Sequence, residues 1–148
     1  MSGQAAERTV ALTMRALAVT FAVVGVLFIS SPDGVIGRLD DVGDWLGSFP
    51  QGPPTEQKFW LALGFAYMTV ITGLALVISF DPRRYRPMLL VLAAGKTASS
   101  LAAGAFFVFD REVFVYLANF VVDASLVFVA LGCWALLGRA EAEARAPV

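Results

Sequence analysis

The sequence predicts an all-α protein: an integral membrane four-helix transmembrane bundle. Three observations carry that reading. Of its 148 residues 58% are hydrophobic and only 16% are charged, with a mean hydropathy of +0.73. The apolar residues come in four long blocks, not as the alternating faces of a soluble domain. Pro32, Pro50, Pro53, Pro54, Pro82 and Pro87 all fall between those blocks, where they end helices without breaking one. One domain over residues 1–148 is the natural count.

The first block runs from about Val10 to Ile29. It resembles the apolar part of a signal peptide, with Arg8 and Arg15 ahead of it. Its exit, Phe28-Ile29-Ser30-Ser31-Pro32-Asp33, has no good small-x-small site, and Pro32 spoils a cut after Ser31. A retained anchor is expected. Arg15 lies about a turn into the block, where its side chain would snorkel to headgroups. Ala18, Ala22 and Gly25 follow it as small residues suited to close helix approach.

Between blocks one and two lies a longer segment, Pro32 to Lys58. Val35, Ile36, Leu39, Val42, Leu46 and Phe49 recur at helical spacing, with Asp40, Asp41 and Asp44 on other faces. A short amphipathic helix in the first extracytoplasmic loop is expected, although Gly37, Gly43 and Gly47 weaken it. It serves either as a plain connector or as a lid over a cavity. Three acids on an exposed helix face are ordinarily just solvated, so no metal is expected there.

Block two spans Phe59 to Phe80, block three Met88 to Phe109, and block four Val113 to Leu137. At about 1.5 Å per residue, about 20 residues cross the hydrocarbon, and lipid requires such segments to be helical. Arg139 to Arg145 reads as a helix extension leading to a solvated tail. Orientation follows from basic residues: with both termini cytoplasmic, Arg8, Arg15, Arg83, Arg84, Arg86, Arg139 and Arg145 lie inside, against Arg38, Lys58 and Arg111 outside. The tight turn from Asp81 to Pro87 decides it, because short basic loops resist translocation. Trp60, Tyr85, Tyr116 and Trp134 stand near block ends, as interfacial aromatics do.

The functional clue is polar. Lys96 and Asp123 sit near the middle of blocks three and four, where buried charges need a partner or a purpose. Lys96, Ser99 and Ser100 share one helix face, and Asn119 and Asp123 share another. Tyr67 of block two lies at about the depth of Asp123. These residues should meet inside the bundle, through a direct Lys96–Asp123 bridge or through a network of Ser99, Ser100, Asn119, Tyr67 and water. Such a cluster either fixes helix packing or lines a polar pocket.

Several functions are excluded. The chain has no histidine and a single cysteine, Cys133, so His-based catalysis, His-bearing zinc sites and an intrachain disulfide are impossible. A net charge of −1 offers no basic field for nucleic acid. Gly95-Lys96-Thr97 mimics the end of a phosphate loop but lies within a helix. No catalytic constellation is visible, and no cofactor or metal is expected. The expected partners are the lipid bilayer and a larger membrane protein complex or a homo-oligomer.

Leu12-Thr13-Met14-Arg15-Ala16-Leu17, the glycine-containing apolar run to Pro32 and the four-span layout together resemble the DoxX-like group of small bacterial four-helix membrane proteins. The resemblance covers the chain in outline and is specific around Arg15. Phe28-Ile29-Ser30 stands where such proteins often carry a lysine late in the first helix. The resemblance implies an inner-membrane accessory role, of the kind linked to redox or quinone-associated complexes. The reading from the residues is a non-catalytic accessory or ligand- or lipid-binding protein with a polar intramembrane pocket. The alternative is a small proton-coupled transporter or channel.

Overall fold

The computed structural model describes residues 3–55 and 57–145. Among them the chain is all helical: α1 (Gly3–Ser30), α2 (Pro32–Leu46), α3 (Lys58–Phe80), α4 (Met88–Phe109) and α5 (Phe114–Arg145). Four of these, all but α2, are long and apolar enough to cross a membrane. They contain the four apolar blocks except Val113, which precedes α5. α1 begins before Val10, and α5 continues past Leu137 as the expected extension to Arg145. Residues beyond Arg145 lie outside the described residues.

The four long helices run up and down. Their connections divide between two ends. The first, arginine-rich end holds the start of α1, the turn from Asp81 to Pro87 and the close of α5. There Arg83 pairs with Glu7 of α1. Arg86 donates to Glu141 at 2.9 Å and to the Trp134 carbonyl at 3.0 Å, with its guanidinium 4.5 Å from the Trp134 ring centroid. One turn thus clasps both α1 and α5.

α1 packs along α3, and α4 packs along α5. The buried face of α1 is Ala6, Val10, Met14, Ala18, Phe21 and Gly25, at the spacing of three and four that a helix requires. Gly25 marks the close approach: a Cβ there would lie 3.0 Å from Met68 Cβ. Of the small residues expected on this face, Ala18 and Gly25 belong to it. Ala22 is exposed, and the buried turn between them is filled by Phe21.

The two helix pairs meet at the arginine-rich end. Val10, Met14, Ala75, Ile78, Leu89, Leu92, Ala130 and Leu137 form a closed core there. Towards the other end the pairs separate. Helix packing in this chain is therefore lopsided along the bundle axis, and that asymmetry makes room for a site.

The segment between α1 and α3 covers the second end. Pro32 stands at the first turn of α2, where its missing N–H and fixed φ suit a helix start. The helix continues through Gly37 and Gly43 and stops at Gly47. Gly43 is needed where it stands, because a Cβ would lie 2.7 Å from Phe114 Cβ. That contact decides which face of α2 turns inward. Val35, Ile36, Leu39 and Asp40 are half-buried, whereas Val42, Leu46 and Trp45 are exposed.

The return segment, 47–55, is strapped to α2 by two carboxylates. Asp40 accepts the Gly52 N–H with both oxygens at 3.1 Å. Asp33 accepts the Thr55 N–H at 3.0 Å and the Thr55 hydroxyl at 2.6 Å. Asp40 therefore has a structural role, and no cluster of metal-ligating side chains occurs among the described residues.

The Thr55 bonds hold the Asp33 carboxyl below the usual carboxylate range, the side-chain bond contributing most. A carboxyl whose pKa is depressed in the latched state stabilises that state fully above its ordinary pKa. The stabilisation is lost as pH falls through the lowered value. Protection of the Thr55 amide from exchange, corrected for intrinsic rate, should therefore fall on acidification. Asp33→Asn should flatten that pH dependence. Unchanged protection in acid would show that the latch does not depend on the carboxylate.

Candidate functional site

The floor of the site is an ion pair. Lys96 Nζ lies 2.9 Å from Asp123 Oδ1, and both side chains are 5% exposed. Of the two arrangements the sequence left open, the direct bridge forms. α4 contributes Lys96 from the middle of its length, one turn above the closed core at Leu92 and Ala93. α5 contributes Asp123 from the opposite direction. The flexible lysine stem bridges the small difference in level.

The ammonium is also held by aromatic faces. Lys96 Nζ lies 4.9 Å from the Phe21 ring centroid and 5.5 Å from that of Tyr67. Ring quadrupoles attract a cation on their faces. Lys96 is thus enclosed by three other helices: α1 through Phe21, α3 through Tyr67 and α5 through Asp123.

The hydroxyl and amide residues do not all join that pair. Ser100 donates to the Phe120 carbonyl at 2.9 Å, which ties α4 to α5. Asn119 donates to Ser99 at a long 3.4 Å. The Tyr67 hydroxyl oxygen is buried and has no hydrogen-bond partner among the described residues. Arg15 is exposed and stands apart from the cluster.

Above the pair opens a cleft of about 1040 Å³ between the two helix pairs. Lys96, Asp123, Tyr67, Ser99 and Asn119 line its polar part. Phe28 of α1 with Leu61, Phe65 and Met68 of α3 line an apolar part. Pro53, Pro54 and Thr55 of the strap lie over it, and Trp60 stands at its rim. The volume is at the upper end of what small-molecule sites reach. Gly64 also lines the cleft, and a Cβ there would meet nothing within 4 Å.

Sequence patterning pointed to Lys96, Asp123, Tyr67, Ser99 and Asn119, and the structure brings all five to one cavity. Ser100 faces the α4–α5 contact instead. The pattern missed Phe21, Met68 and Gly64, whereas the strap belongs to the Pro32–Lys58 segment for which connector and lid were both left open. An aromatic or a glycine in an apolar helix carries no mark of whether it faces lipid, core or cavity. The strap lies far from the charges in sequence, so only folding brings it over them.

No family model, curated protein or solved structure matches this chain.

Proposed function

We propose that this chain is a non-catalytic binding protein of a bacterial inner membrane whose cleft holds an amphiphilic ligand. The carrying observation is the form of the cleft: a polar floor at Lys96 and Asp123, apolar walls from Phe28, Leu61, Phe65 and Met68, and a roof from Pro53, Pro54 and Thr55 of the strap. A polar floor under apolar walls suits a molecule with one polar end and one apolar chain. The closed core beneath Lys96 supports binding over conduction, because Val10, Met14, Ile78 and Leu89 are fully buried there. An accessory role of the kind implied by the DoxX-like resemblance is compatible with such a protein.

In this reading all four long helices span the bilayer, with both termini and the Asp81–Pro87 turn in the cytoplasm. α2 lies at the outer interface as an amphipathic helix, its exposed Val42, Trp45 and Leu46 towards lipid headgroups. An impermeant thiol reagent added outside should label a cysteine placed at Gly52 and spare one placed at Arg84. Labelling at position 84 would reverse the orientation.

Gly64→Leu tests the binding function directly. The new side chain enters open space in the cleft, and the change favours a helix. Mass spectrometry of protein released gently from membranes should show an amphiphile retained by the wild type and lost by Gly64→Leu. An identical lipid complement in the two would overturn the binding function. A buried titratable pair also suits a proton-coupled transporter. Sealed proteoliposomes separate the two: gradient-driven proton movement that disappears in Asp123→Asn would replace binding with transport.

A further inference from the structure

We propose that the occupant of the cleft is an uncharged amphiphile, an apolar chain ending in a hydroxyl or carbonyl group that hydrogen-bonds the Tyr67 hydroxyl. This rests on the binding function above and adds the chemistry of the ligand's polar end.

The first argument is charge balance. A lysine at the floor of a cavity would ordinarily read as an anchor for an acid. Here its charge is already matched. Lys96 lies 2.9 Å from Asp123, and the Phe21 and Tyr67 rings cover it from two further sides. A carboxylate or phosphate entering the floor meets an ammonium and a carboxylate side by side, so attraction and repulsion largely cancel. A cationic head meets the same cancellation. What remains in either case is the cost of taking an ion out of water, which is large when no partner compensates it. An uncharged head avoids that cost.

The second argument is the Tyr67 hydroxyl. It is buried and lacks a partner among the described residues. Buried polar groups nearly always have one, and a phenol both donates and accepts. Tyr67 also lines the cleft. The oxygen is closed to solvent as it stands, so a small tilt of the ring towards the cleft is part of the proposal. A hydroxyl or carbonyl oxygen of the ligand then supplies the missing bond. Asn119 and Ser99, joined to each other by only a long contact, offer further polar atoms beside it.

The third argument is the wall. From the floor towards the rim the cleft passes Met68, Phe65 and Leu61 and reaches Trp60 under the prolines of the strap. Such a path takes a chain, not a compact polar solute.

The test uses three bromine-tagged probes of one chain length: octadecanol, octadecanoate in alkaline buffer, and octadecyltrimethylammonium. Bromine quenches Trp60, and the signal is the saturable quenching that Gly64→Leu abolishes. The alcohol should bind, with the two ions weaker by about tenfold or more. Tyr67→Phe should keep the fold, because the lost hydroxyl has no protein partner, and should weaken the alcohol about five- to tenfold. Equal or tighter binding of the carboxylate or the ammonium would overturn the uncharged head and leave the binding function standing. Unchanged binding of the alcohol by Tyr67→Phe would overturn the assigned contact. No cleft-specific quenching by any probe would overturn the binding function itself.

Discussion

Asp123→Asn and Lys96→Met will each destabilise the bundle by about 3–5 kcal/mol, and the double substitution will come close to neutral. The side chains are 5% exposed and 2.9 Å apart. Removing one partner leaves an uncompensated charge in surroundings that cannot solvate it. Removing both returns a region that apolar contacts can hold, because Ser100 still ties α4 to the Phe120 carbonyl. Thermal or denaturant unfolding of the four proteins in one detergent measures the cycle. Losses that simply add in the double variant would mean that the two charges are not coupled. The Lys96→Met change also removes the cation held by Phe21 and Tyr67, so it should cost somewhat more than Asp123→Asn.

Ile78→Ala will cost about 2–5 kcal/mol, while Phe128→Ala will stay within about 0.5 kcal/mol. Ile78 is fully buried where the two helix pairs meet, and Phe128 is 74% exposed. In water both would be judged partly by transfer of apolar surface. In a bilayer the solvent is as apolar as the side chain, so transfer contributes little and packing decides. The loss at Ile78 should therefore fall towards the lower end of its range. The measurement is unfolding in detergent, with a cysteine-free background unnecessary because Cys133 is buried and has no disulfide. Equal losses at the two positions would mean that the core at the arginine-rich end is not what joins the helix pairs.

The two effects differ in kind. The ion pair is expensive to break but contributes little net stability as a pair, so its presence invites a functional account. The apolar core contributes stability and seals the cleft from below. Placing the charges one turn above that core gives the cavity its polar floor, and the sparse contact between helix pairs above it leaves the cleft open.

By itself the sequence determined the helices. Block length and hydropathy demanded long helices, because an apolar stretch of that size has no other way to satisfy its backbone in lipid. The prolines marked the connections, and the rarity of charge in the blocks singled out Lys96 and Asp123. Helical spacing then grouped Ser99 with Lys96 and Asn119 with Asp123. Only the tertiary structure decided that the bridge is direct, that Ser100 turns to Phe120 and not to the charges, and that α2 presents Gly43 instead of Val42 to its neighbour. It also decided that the helix pairs close at one end and part at the other. The physical reason is that almost every residue in these blocks is apolar. A uniform hydrophobic surface has little amphipathic contrast, so it does not mark which face meets lipid, which meets a helix and which borders a cavity. That choice rests on shape at close range: Gly25 against Met68, Gly43 against Phe114, and Phe21 over an ammonium.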